Sequence, residues 1–210
     1  MASAVASLGA KGVAASGKAV DVTDKEAYQG WIAESAEQMG GIDILIVMAS
    51  GVGGSVDEES WHSNLETTVL SASRGIEAAM PYLEKSGAAS IILMSSTSAV
   101  ETFFAPQPYN ALKASLITYS GQLSQALGAQ GIRVNCVSPG PTAFEGGNWD
   151  VIEQAAPEIF QGVADGFPQG KLGTPEEVAN AVVFLASPAA SFITGTNLIV
   201  DGGYTKRVQF

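Results

Sequence analysis

The stretch Ile132-Arg133-Val134-Asn135-Cys136-Val137-Ser138-Pro139-Gly140 decides the fold. A short apolar run, 132–137, ends in a Pro-Gly turn and reads as a strand that stops at a ligand-binding edge. Four more runs share this character, at 18–22, 42–48, 90–95 and 197–200. They are rich in Ile, Val and Leu and apolar on both faces, as strands covered on both sides must be. Between them lie helical patterns. Residues 24–38 begin with an acidic turn and a Thr23 cap, and 60–85 carry Leu65, Val69, Ile76, Met80 and Leu83 on one stripe. Pro81 is expected to kink or end that helix. Residues 108–129 place Leu112, Leu116, Leu123 and Leu127 at helical spacing, and Thr174-Pro175 followed by two glutamates starts a helix running to about 186. Strands alternating with helices predict an α/β doubly wound parallel sheet in one domain over 1–210.

Composition narrows the functions. A formal charge of −11 opposes nucleic-acid binding, because phosphates would be repelled. No apolar run approaches the roughly 18 residues of a membrane span. The glycine-interrupted N-terminus lacks the basic lead of a targeting peptide. The single cysteine, Cys136, forms no internal disulfide and reads as a core residue, consistent with a cytoplasmic protein. His62, the one histidine, has no ligating companion, so no metal is expected. Residues 140–173 form one long irregular stretch after a strand, with a short helix expected at 151–160; such a stretch suits a lid.

Tyr109-Asn110-Ala111-Leu112-Lys113 places a phenol and an ammonium one helical turn apart. A free tyrosine, with a pKa of about 10, is a poor base at neutral pH. A neighbouring lysine cation favours the phenolate and makes it a usable acid/base. Alone, the pair reads first as a solvated helix face. Its surroundings change the reading: Ser95 and Ser96 end a strand ahead of it, with Ser96 thirteen residues before Tyr109.

With the 132–140 stretch, a G-T-P-E-E-V-A helix start at Gly173 and a closing T-G-x-x-x-x-x-D-G-G from Thr194, these features resemble the short-chain dehydrogenase/reductase family. The resemblance runs from about Val20 to the end and implies a Rossmann-like sheet binding NAD(P). It implies hydride transfer between that cofactor and a ketone or secondary alcohol, of 3-oxoacyl or small-ketone type. Carried over, Tyr109 exchanges the proton, Lys113 lowers its pKa and holds the nicotinamide ribose, and Ser96 bonds the substrate oxygen, with Ser95 the alternative. Pro139, Gly140 and Thr142 line the nicotinamide, Asp21 with Val22 meets the adenine, and Ala49 lies along the cofactor. Arg133 and Asn135 are structural. Family members associate through the last strand and the helices at 60–85 and 108–129. A homo-oligomer, dimer or tetramer, is therefore implied, with Ala114, Ser115, Ser120 and Gly121 allowing close helix approach.

The sequence departs from the family in three places. The opening strand, T-G-x-x-x-G-x-G phosphate loop and helix are absent, so the sheet is expected to be truncated at its N-terminal side. Gly51-Val52-Gly53-Gly54 is no substitute, since the spacing is wrong and Asp57, Glu58 and Glu59 follow. The N-N-A-G motif becomes Val47-Met48-Ala49-Ser50, and the relay asparagine falls at Thr68, with Asn64 one turn early. The missing strand would leave 42–48 with a bare edge. Residues 18–22 are therefore expected to shift and pair there, taking Asp21 off the adenine position. The rival to an active reductase is a non-catalytic family member serving as an oligomer subunit, or a fragment of a longer enzyme. A dehydratase or epimerase keeping the Tyr–Lys pair is a third reading.

Overall fold

The computed structural model describes residues 2–103 and 106–208. Four strands, β1 (Ile44–Val47), β2 (Ser90–Met94), β3 (Arg133–Pro139) and β4 (Asn197–Val200), form a parallel sheet in the order 1-2-3-4. Ile44 faces Ser90, Ser90 faces Arg133, and Cys136 faces Asn197. Each return to the sheet passes through helix: α3 (Glu58–Asn64) and α4 (Ser71–Leu83) after β1, α5 (Pro108–Leu127) after β2, and α8 (Pro175–Ala186) after β3. Helices α1 (Ala2–Gly9) and α2 (Lys25–Met39) precede the sheet.

Strand periodicity of two explains why β2 is buried throughout. Ile91 and Leu93 point to a core shared with Val134, Cys136, Ile76 and Leu83 of α4, Leu116 of α5 and Ile32 of α2. Ile92, Met94 and Val137 point the other way, onto Val182, Leu185 and Ala186 of α8. Helices therefore cover both faces, which confirms the doubly wound α/β reading.

Residues 18–22 form no strand and pair with nothing, contrary to the expected shift. Val20 and Val22 instead pack against the core beside α2. Asp21 turns back on Thr23, accepting from its N–H (2.9 Å) and hydroxyl (2.7 Å), and Arg74 donates to the Thr23 carbonyl at 3.1 Å. These contacts hold the segment to α2 and α4, away from the edge of β1. Asp21 stays with them, and the outer edge of β1 remains open, with Ile44 46% and Ile46 40% exposed.

Several boundaries also move. Asp24, not Thr23, caps α2 by accepting from Ala27 N–H at 3.0 Å. The helix expected from 60 begins at Glu58, capped by Asp57, and passes through a π-helical turn, Leu65–Leu70, before α4. Pro81 lies inside α4 without ending it, because only the last turn follows. Thr174 caps α8 in a full capping box with Glu177, as its sequence predicts. The single short helix expected at 151–160 is two, α6 (Asn148–Ala155) and α7 (Pro157–Ala164), split at Ala156-Pro157, where a proline interrupts the backbone. The excursion carrying them is closed at its neck by Ala143 N–H to Gly173 (2.9 Å) and Gly173 N–H to Pro141 (3.0 Å).

Candidate active site

The C-terminal ends of β1, β2 and β3 and the loops that follow converge on one edge of the sheet, where open α/β sheets bind ligands. Ser95 and Ser96 leave β2 there. Ser95 is buried and its hydroxyl donates to the Lys113 carbonyl at 2.7 Å, which makes it a brace for α5. Ser96 is half-buried, and its Oγ accepts from Ser98 N–H (3.2 Å) and from the Ser98 hydroxyl (2.9 Å). With its lone pairs engaged, what Ser96 has left to offer is its own proton, directed toward Tyr109. Ser98 is a supporting residue that sequence reading missed; its signal was the serine-rich run itself.

Pro108 opens α5 at its first helical position, placing Tyr109 in the first turn and Lys113 one turn on. Lys113 is 3% exposed, and its ammonium donates to the Met94 carbonyl at 2.7 Å while lying 5.6 Å from the centre of the Tyr109 ring. Burial pulls the Lys113 pKa down to about 8, partly countered by the Cys136 thiol. Burial pushes the Tyr109 phenol above its ordinary value, and its hydrogen bond with Ser96 acts in the opposite direction. Cys136 itself is pushed up to about 12, chiefly by burial, so it is a core thiol and no nucleophile.

The remaining predicted site residues belong to three separate segments. Pro139 and Gly140 end β3, both half-buried, with Gly140 N–H bonded to Val200 at 3.0 Å. Gly140 is required there, since a Cβ would lie 2.7 Å from that of Asp201. Thr142 bonds the Gly140 carbonyl at 3.0 Å, fixing the turn. Ala49 follows β1 and is half-buried; Val22 is half-buried and Asp21 exposed, its carboxyl held below the usual range by the Thr23 hydrogen bonds.

Thr68 is fully buried in the π-helical turn, and its hydroxyl accepts from Gly51 N–H at 2.9 Å. It fastens the loop after β1. Asn64 works beside it, donating to Val52 (3.1 Å) and Ser60 (3.0 Å), while its Oδ1 is buried without a hydrogen-bond partner. Together they hold the loop that has lost the two asparagines. His62 is a surface residue, 3.6 Å from Glu58. Among the described residues no cluster of His, Cys, Asp and Glu suits a metal, and no helix is long and apolar enough to cross a membrane.

A cleft of about 690 Å³ opens beside these groups. Its walls include Pro108 and Asn110, the chain neighbours of Tyr109, and Ser98, the hydrogen-bond partner of Ser96. Val56, Trp61 and Phe103 supply apolar surface. Phe103 also stacks on Tyr204 (5.4 Å between ring centres), which stacks on Phe167 (4.6 Å), joining the post-β2 loop, the C-terminal segment and the excursion. The sequence gives no local sign of this contact.

The residues present fit the nicotinamide-ribose end of a dinucleotide: a buried lysine and a tyrosine one turn apart on α5 at the end of β2. No glycine-rich strand-to-helix turn suited to the pyrophosphate occurs within the 210 residues.

The family described as enoyl-(acyl carrier protein) reductase matches residues 1–205. The chain is 42% identical over 195 residues to isoepoxydon dehydrogenase patN of Penicillium expansum, covering 92% of this chain and 75% of that one. Among solved structures, that of gox2181 aligns with a TM-score of 0.88 at 28% identity, covering 97% of this chain and 80% of that one. ElxO with NADP bound aligns with a TM-score of 0.79 at 26% identity, covering 88% and 76%. With the parallel sheet and the site above, these likenesses establish that the chain belongs to the short-chain dehydrogenase/reductase family, nicotinamide-dependent oxidoreductases of alcohols and ketones.

Proposed function

We propose that the chain interconverts a small ketone and its secondary alcohol through Ser96, Tyr109 and Lys113. The observation that carries this reading is the approach of all three to one point at the end of β2. Ser96 offers its proton to the substrate oxygen. Tyr109 gives its proton to the same oxygen during reduction and takes it back during oxidation. Lys113 supports the phenolate electrostatically and holds the ribose hydroxyls. NAD(P), when bound, supplies or accepts the hydride; the protein orients the carbonyl and moves the proton. Pro139, Gly140 and Thr142 form the nicotinamide wall, Ala49 lies along the cofactor, and Asp21 with Val22 meets the adenine. The site of action is the cytoplasm.

The chain works as a homo-oligomer in this reading. Support comes from exposed apolar side chains beside β4: Phe192, fully exposed, with Val183 and Phe184. Gly121 and Ala114 remain on the surface of α5 to meet a partner, whereas Ser120 is already buried within the fold.

Tyr109→Phe tests the mechanism. Ketone turnover should fall by about 10²-fold or more while the melting temperature holds. Near-normal kcat would refute the assignment. One observation favours a second reading, a subunit that does not turn over substrate itself: the loop after β1, Gly51-Val52-Gly53-Gly54, runs into Asp57, Glu58 and Glu59, which would repel a pyrophosphate there. Titration with NADPH separates the two, micromolar binding supporting the enzyme and its absence the subunit.

A further inference from the structure

The charge around the site is one-sided. Three segments follow the strand ends: 48–70 and 95–112, which line the cleft, and 139–170, which is joined to it through the Phe103–Tyr204–Phe167 stack. They contain ten Asp and Glu residues and no Lys or Arg. Most of these acids have no cationic partner among the described residues; the exceptions are Glu66, paired with Arg74 at 2.7 Å, and Glu58, near His62. Glu101 is the one ionisable group in the cleft wall itself, among Val56, Trp61, Val100, Phe103 and Pro106.

Few cations oppose this. Lys171 is spent on Glu177 at 2.8 Å. Lys206 reaches the region through the C-terminal segment, but its ammonium is bonded to the Gly166 and Gly203 carbonyls (2.9 and 3.2 Å). Its main-chain N–H donates to Glu101, leaving the carboxylate charge in place. Arg207 is exposed beyond it. Lys113 is buried at the reacting centre, bonded to Met94.

A carboxylate or phosphate entering this cleft meets a surplus of like charge near low-dielectric walls, because the cations of the region, Lys113, Lys206 and Arg207, are outnumbered by the ten acids and none lines the cleft. A neutral ketone suffers neither penalty and gains the apolar wall. We infer that the cleft takes an uncharged carbonyl or alcohol group and rejects substrates that carry a carboxylate or phosphate into it. This rests on the ketone/alcohol reading.

The test compares two ketones of nearly equal shape, ethyl 4-oxocyclohexanecarboxylate and the free 4-oxocyclohexanecarboxylate. Saturation-transfer NMR measures their binding to the 210-residue chain with NADPH present. The ester should bind on the order of tenfold more tightly at low ionic strength. The gap should narrow at about 0.5 M salt, where the screening length is only a few Å. Glu101→Gln should also narrow it, since the amide oxygen can still accept from Lys206 N–H. Equal or tighter carboxylate binding would overturn the inference. So would a gap untouched by both salt and Glu101→Gln, or failure of the ester to bind at millimolar concentration. Preferential ester binding without turnover would sustain this inference and count instead against the Tyr109 mechanism.

Discussion

The Lys113 ammonium donates a 2.7 Å hydrogen bond to the carbonyl of Met94, the last residue of β2. The Ser95 hydroxyl returns the connection by donating to the Lys113 carbonyl at 2.7 Å. Two bonds of opposite direction thus pin the first turns of α5 to the strand end bearing Ser96. The distance between the Ser96 and Tyr109 hydroxyls is set by this pair rather than by the loop between them.

The buried Lys113 charge makes stability depend on pH. Its folded pKa of about 8 lies below the ordinary 10.5, so between these values the unfolded chain binds the extra proton and stability rises with pH. Below about pH 8 the cost of the buried charge is fully present. Measured against Lys113→Met, the wild type should gain on the order of 3 kcal/mol between pH 7.5 and 10.5. Cys136, raised to about 12, acts in the opposite sense above pH 9 but is shared by both proteins. Denaturant midpoints across this range provide the check; parallel curves for the two proteins would refute it.

Tyr109 should keep its proton at neutral pH, because burial raises its pKa above 10.0. The difference in tyrosinate absorbance between wild type and Tyr109→Phe should have its midpoint above pH 10. The chain is then poised as a proton donor for ketone reduction, with alcohol oxidation accelerating as pH rises. A midpoint at or below 9 would show the cation of Lys113 prevailing over burial.

Gly51 is a steric requirement of the loop after β1. A Cβ there would lie 2.2 Å from Asn64 Oδ1 and 2.9 Å from Asn64 Cα. Gly51→Ala should cost about 1–3 kcal/mol and weaken the bond to Thr68. In a double-mutant cycle, Asn64→Ala should recover part of that cost, since the backbone contact remains. Strict additivity would rule out the contact.

Arg133 closes the C-terminal end of α8. Its guanidinium donates to Leu185 (2.7 Å), Ala186 (3.1 Å) and Ser187 (3.2 Å), carbonyls that also carry the negative end of the helix dipole. Arg133→Lys keeps the charge but loses the planar fork, and should destabilise by about 2 kcal/mol. Thermal unfolding reads this directly, and an unchanged melting temperature would contradict it.

Local chemistry made much of this protein legible. Short apolar runs bounded by turns are a strong strand signal, so 90–95, buried throughout, and 197–200, half-buried, were recognisable without coordinates. The Thr174-Pro175 cap was legible because capping depends on three neighbouring residues. Tyr109 and Lys113 share a helix, and their spacing alone fixes their approach. The choice of Ser96 over Ser95 rested on its distance in sequence from Tyr109, and the geometry explains it, since Ser95 is consumed bracing Lys113.

What stayed hidden depends on contacts between distant segments. Residues 18–22 carry a good strand sequence, yet a strand is defined by its partner, and packing of Val20 and Val22 beside α2 prevailed over pairing with β1. Thr68 looked like a relay residue by position, but its hydroxyl is committed to Gly51, seventeen residues away. The Phe103–Tyr204–Phe167 stack unites three segments that share no local pattern. The sequence by itself determined the covered parallel sheet and the Tyr–Lys pair, because both follow from period and spacing within one element. Tertiary structure alone decided which serine braces Lys113, which strand edge stays open and which aromatic rings stack beside the cleft. Those outcomes turn on competition among long-range contacts of similar energy.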